Sequence, residues 1–145
     1  MKKGQNSDGL SVLVVDDDED IRVLLSKALN RIGHHVSQAK SAEQALEMLQ
    51  RSYFHVVITD IQMASMTGVE LMREIKAINE TIQIYIITAH SNLEKVIQCM
   101  KGGAYDFFEK PLKVDDIITS INEASRRATR WGELYKRHSF SRCGT

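Results

Sequence analysis

Two hydrophobic periods alternate along the chain. "LSVLVV" (10–15), "HVVIT" (55–59) and "IQIYIIT" (82–88) are short β-branched runs that predict strands. "HHVSQA" (34–39) and "YDFF" (105–108) are less apolar runs of the same kind. Between them, apolar residues recur at three- and four-residue steps. Ile21, Leu24, Leu25, Ala28, Leu29 and Ile32 form one helical stripe, followed by Gly33 where a C-terminal cap is expected. Ala42, Ala45, Leu46 and Leu49 form a second behind Ser41, with Gln44 spaced for a capping box. Val69, Met72, Ile75 and Ile78 make a third, residues 92–101 before Gly102-Gly103 a fourth, and Val114, Ile117, Ile118 and Ile121 open a fifth. Five β-α units in alternation predict an α/β domain, a parallel sheet covered on both faces.

The fifth stripe runs on through Ala124, Ala128, Trp131 and Tyr135 at heptad-like spacing. A helix from Val114 to about Arg137 would be roughly 36 Å long, so its end either projects or folds Trp131 back on the core. The closing "HSFSRCGT" has no period and is expected to be mobile. The predicted division is a flexible segment 1–9, a domain over 10–125 and a basic helical extension or linker with a tail over 126–145.

Composition fits one domain: 145 residues, 43% hydrophobic and 26% charged, which reads as soluble and globular. No 18-residue apolar run and no signal-peptide pattern is present, so no membrane segment is expected and the cytoplasm is the expected location. Cys99 and Cys143 lack metal-ligand spacing and read as free thiols. The net charge of zero hides an asymmetry. Residues 1–125 carry 13 Lys/Arg and 18 Asp/Glu, whereas residues 126–145 carry six Lys/Arg against Glu133. An acidic body argues against direct nucleic-acid binding by the domain.

In a parallel sheet, residues following the strands converge at the carboxyl edge. There the sequence sets Asp16 and Asp17 after the first strand, Asp60 after the third, and Thr88, Ala89 and His90 after the fourth. Lys110 and Pro111 come after the fifth. Crowded carboxylates call for a compensating cation, and hard oxygen ligands suit Mg²⁺. A carboxylate can also attack phosphorus, with a lysine and a hydroxyl matching the phosphoryl oxygens. Magnesium-assisted phosphoryl transfer to a carboxylate fits this set. Of the run "DDDED", Asp18 is then the candidate N-cap, with Glu19 and Asp20 in the favoured first turn. The pair His34-His35 reads as turn residues and not as a metal site, and His55 has no evident partner.

"VLVVDDDEDIR", "VVITDIQMASMTGVELM", "YIITAHS" and "GAYDFFEKP" stand in the order and spacing of response regulator receiver domains, which the chain resembles over residues 10–125. The resemblance implies a flavodoxin-like, doubly wound three-layer fold with strand order 2-1-3-4-5. It implies that Asp60 is the phosphoacceptor and that Asp16, Asp17, Asp60 and the backbone carbonyl of Gln62 hold Mg²⁺. Thr88 and Lys110 would contact the phosphoryl group, Thr88 and Phe107 would switch together, and the Lys110–Pro111 bond would be cis. Gln62 and His90 stand at positions that tune phosphoryl lifetime. The implied partners are a sensor histidine kinase or histidine phosphotransfer protein and a downstream effector protein or effector domain, with a homodimer as a further option. The output face would be helix four, strand five and helix five. Such a domain catalyses only its own phosphorylation and dephosphorylation. Ala64 stands where many relatives carry proline, and Phe107 where others carry tyrosine.

Three other readings remain at this point. The chain could be the receiver part of a larger regulator whose effector domain lies outside it. It could be a scaffold blind to phosphorylation. Asp16-x-Asp18 also resembles the first motif of haloacid-dehalogenase-type phosphatases, in which the strand-one aspartate is the nucleophile. Asp20 stands where those enzymes normally carry threonine or valine, and 145 residues leave little room for their later acidic pair and cap.

Overall fold

The computed structural model describes residues 9–89 and 93–144. Ten elements alternate: β1 (Ser11–Val15), α1 (Glu19–Arg31), β2 (His35–Ala39), α2 (Ala42–Arg51), β3 (Val56–Asp60), α3 (Gly68–Ile78), β4 (Gln83–Thr88), α4 (Leu93–Lys101), β5 (Asp106–Glu109) and α5 (Val114–Gly144). The five strands form one parallel sheet in the order β2-β1-β3-β4-β5. The alternating periods predict the parallel sheet, and the family resemblance implies this flavodoxin-like order.

The three central strands are apolar through their middles because each feeds two cores. Leu13, Val15, Val57, Ile84 and Ile86 pack under α2, α3 and α4, with Leu71, Ile75 and Val96 from the helices. Val12, Val14, Val56, Ile58, Tyr85 and Ile87 face the other way, onto Leu25 and Leu29 of α1 and Ile117, Ile121 and Ala124 of α5. Strict alternation of side chains across a strand makes this sorting unavoidable. β2 and β5 are the edge strands and only part-buried, which is why their sequence signal is weaker.

Helix ends follow local chemistry. Asp18 caps α1, its Oδ1 accepting from the Asp20 amide at 2.9 Å. Gly33 follows that helix at φ +103°, a conformation that suits glycine. Ser41 Oγ accepts from the Gln44 amide as expected, but the Gln44 side chain takes the Lys40 amide instead of closing the box on Ser41. The complete capping box belongs to α3, between Thr67 and Glu70. α5 continues to Gly144, past the expected end near Arg137, and so includes most of the segment that has no apolar period. A 31-residue helix is about 46 Å long. Once nucleated against the core, such a helix can propagate through a stretch without apolar period.

Two histidines that carried no assigned role anchor the start of β1. His34 Nδ1 accepts from the Leu10 amide at 3.1 Å, and His55 Nδ1 accepts from the Ser11 amide at 3.0 Å. His34 is buried, and its Nε2 lies 3.4 Å from Asn122 Oδ1 on α5.

Candidate functional site

The carboxyl edge of the sheet gathers carboxylates following β1 and ending β3 with an ammonium following β5. β1 ends at Val15 and is followed by Asp16, whose side chain is fully buried, and the chain turns there toward α1. Asp16 Oδ1 accepts from the Asp18 amide at 2.9 Å, which leaves Asp17 exposed at the lip. Arg22, one turn into α1, donates from Nη1 to the Asp16 carbonyl at 2.7 Å and from Nε to Gln38 Oε1 at 3.2 Å.

Asp60 closes β3 and is 8% exposed. Its Oδ1 accepts from the Gln62 amide at 3.1 Å, and its Oδ2 accepts from Lys110 Nζ at 3.2 Å. Behind it the backbone is held by Gly68, whose amide donates to the Ile61 carbonyl at 2.8 Å. A Cβ on Gly68 would sit 2.7 Å from Ile61 Cα and 2.9 Å from the Asp60 carbonyl, so only glycine fits without movement.

Lys110 arrives from β5, its amide bonded to the Thr88 carbonyl at 2.8 Å, and the Lys110–Pro111 peptide bond is cis. Its ammonium also lies 3.8 Å from Asp16 Oδ2. Burial works to lower the Lys110 pKa, but the charges of Asp60 and Asp16 outweigh it, so the ammonium is held above its ordinary value.

Asp16 is the most strained charge in this set. Its Oδ2 is buried and accepts no hydrogen bond. Burial, with the nearby Asp60 and Asp17 charges, pushes its pKa from 3.8 up to about 6, against the opposing pull of the Asp18 amide and Lys110. Ligand oxygens of Asp16, Asp17 and Asp60 all lie within 4.8 Å of one another. An orphaned buried carboxylate oxygen beside two further carboxylates is the donor set that a small hard divalent cation neutralises. The residues therefore fit Mg²⁺.

Other expected site residues lie around this cluster. Thr88 is buried at the end of β4, and its hydroxyl donates to the Ala89 carbonyl at 2.9 Å rather than to the carboxylates. Phe107 pairs with Ile86 across β4 and β5 and is 36% exposed. It borders an open cleft of about 390 Å³ with Lys110, Pro111 and Asp116. Gln62 is exposed next to Asp60, meeting it through its amide. His90 lies outside the described residues. Arg22 was invisible as a site residue in the sequence. Glycine eight residues after Asp60 was the one available signal for the close approach.

A family model described as the response regulator receiver domain matches residues 12–122. The chain is 38% identical over 117 residues to the transcriptional regulatory protein ZraR of Escherichia coli K12, covering 81% of this chain and 26% of that protein. It is 31% identical over 112 residues to sporulation initiation phosphotransferase F of Bacillus subtilis, covering 77% of this chain and 90% of that protein. A solved response regulator receiver domain protein from Clostridium thermocellum superimposes with TM-score 0.79 at 31% identity, over 84% of this chain and 98% of that one. The chain thus spans about a quarter of the length of ZraR but nearly all of the sporulation phosphotransferase.

Proposed function

The chain belongs to the response regulator receiver domain family of two-component signalling, and we propose that Asp60 accepts a phosphoryl group from a histidine kinase or phosphotransfer protein. The observation that carries this reading is the setting of Asp60. It ends a central strand beside two further carboxylates, with an ammonium 3.2 Å from one oxygen.

In the proposed reaction an Asp60 oxygen attacks phosphorus in line. The bond from phosphorus to the donor imidazole nitrogen breaks, leaving an acyl phosphate on Asp60 and free imidazole on the donor. Asp16, Asp17, Asp60 and the Gln62 carbonyl would hold Mg²⁺, which supplies positive charge against the phosphoryl oxygens. Lys110 provides a second positive charge at Asp60 and follows the oxygens as they gain charge. The Thr88 hydroxyl leaves the Ala89 carbonyl to donate to the new phosphoryl group, and Phe107 turns inward into the space released. Repacking of the face built from α4, β5 and α5 then carries the signal to an effector. The length of α5 supports transmission along that helix, whether the effector is a further domain or a separate protein. Gln62 and His90 tune the lifetime of the acyl phosphate. The domain acts in the cytoplasm and catalyses only its own phosphorylation and dephosphorylation. Among the described residues no helix is long and apolar enough to cross a membrane.

Phosphorylation by acetyl phosphate, read by mass spectrometry, or binding of beryllofluoride, read by fluorine NMR, tests the reading. Mg²⁺-dependent labelling of the wild type, abolished in Asp60→Ala, is the expected result. Labelling that survives Asp60→Ala but fails in Asp16→Asn would favour the phosphatase reading. No Mg²⁺-dependent labelling of the wild type would leave a scaffold.

A further inference from the structure

Arg22 performs no step in the reaction above, yet it grips the element that presents two of the three carboxylates. The segment from Asp16 to Asp18 must leave a strand, present two carboxylates and enter a helix within three residues. Its internal tie, the Asp18 amide on Asp16 Oδ1, fixes the carboxylate relative to the turn but not the turn relative to the sheet. The Asp16 amide bonds across to the Ala39 carbonyl at 3.2 Å, tying the residue to the end of β2 on one side. Arg22 supplies the other tie. Its guanidinium holds the Asp16 carbonyl at 2.7 Å and is itself held by Gln38, the residue before Ala39. Both ties thus end on consecutive β2 residues, and the rigid fork of a guanidinium suits such a two-partner clamp.

We propose that Arg22 is a positioning residue for the divalent cation, clamping the Asp16 carbonyl so that the Asp16 and Asp17 carboxylates are set before the ion arrives. The inference rests on the reading of these residues as cation ligands. It makes a prediction with a definite sign. As a nearby positive charge, Arg22 repels a divalent cation, so on charge alone its removal strengthens binding. As a clamp, its removal weakens binding, because residues that orient metal ligands are worth 10- to 100-fold in affinity. The two roles predict opposite outcomes for one substitution.

The test is Mg²⁺ binding measured by titration calorimetry on the whole chain, with no phosphodonor present. Arg22→Met removes charge and donors while keeping a good helix former in α1. Its Mg²⁺ affinity is expected to fall about tenfold. Gln38→Ala leaves the charge in place and removes only the support, and a fall smaller than that of Arg22→Met is expected. Arg22→Lys, which keeps the charge but replaces the guanidinium fork by a single ammonium, lies between wild type and Arg22→Met. The Mg²⁺ concentration for half-maximal beryllofluoride labelling should rise in step, and excess Mg²⁺ should recover most of the rate. Unchanged or tighter Mg²⁺ binding by Arg22→Met overturns the clamp. So does a labelling loss that excess Mg²⁺ does not recover and that follows a lowered melting temperature, since that marks general damage to the fold. Failure of the wild type to bind Mg²⁺ would instead overturn the reading of the cluster itself.

Discussion

Substituting Asp16 by Asn should make the metal-free domain more stable while removing its response to Mg²⁺. Asp16 is fully buried, one of its oxygens accepts no hydrogen bond, and Asp60 and Asp17 crowd it. Its pKa rises from an ordinary 3.8 to about 6, so the fold prefers the neutral form. At 1.36 kcal/mol per pKa unit, holding the charged form at pH 7 costs about 3 kcal/mol. Asn keeps the shape and can still accept from the Asp18 amide. Its amide nitrogen then faces Lys110, so the gain is an upper bound. Roughly 4 °C per kcal/mol for a domain of this size puts the increase in melting temperature at up to about 12 °C.

The pH dependence carries the sign. A carboxylate with a raised folded pKa makes the native state bind more protons between about 4 and 6, so this group removes stability as pH rises through that window. The advantage of Asp16→Asn should therefore be small at pH 4, grow to pH 6 and level off above it. The assay is thermal denaturation of both proteins in EDTA across this range, repeated with Mg²⁺. Wild type should gain about 2.7 kcal/mol at a Mg²⁺ concentration 100 times Kd, and the variant little. A variant less stable than wild type at pH 7 in EDTA would refute the claim that this carboxylate is a stored cost offset by the cation.

Gly68→Ala should destabilise the fold by about 1–3 kcal/mol and slow Asp60 labelling at saturating Mg²⁺, because its Cβ pushes on the backbone of Asp60 and Ile61; wild-type melting and labelling would show that the loop yields freely. His34 and His55 have pKa values lowered by burial, so the stability they contribute is complete above pH 6.5 and is lost as pH falls through their folded values. Amide exchange at Leu10 and Ser11 should accelerate, relative to the rest of the sheet, as pH drops from 7 to 5 after correction for intrinsic rates. His34→Gln should flatten that dependence at Leu10.

The order of elements was legible because burial on both faces writes itself as runs such as Val12–Val15 and Ile84–Ile87. The convergence of Asp16, Asp60 and Lys110 followed from topology, since a parallel sheet brings strand ends together whatever separates them in sequence. Partnerships that depend on side-chain reach were not legible. His34 meets Asn122 across 88 residues and His55 meets Ser11 across 44, and no local period encodes either. Arg22 sat in a helical pattern where a charged residue is ordinarily solvated surface. The end of α5 was misjudged because an apolar stripe reports what a helix packs against, not how far its backbone continues.

The Gly68 amide on the Ile61 carbonyl closes residues 61–68 into a ring whose two ends are pinned together. Gln62, Ala64 and Ser65 stand exposed on that ring, while Ile61 and Gly68 are buried at its neck. Changes among the exposed three are therefore insulated from the sheet. Side chains on this rim can therefore vary in size and polarity while Asp60 stays where the strand holds it.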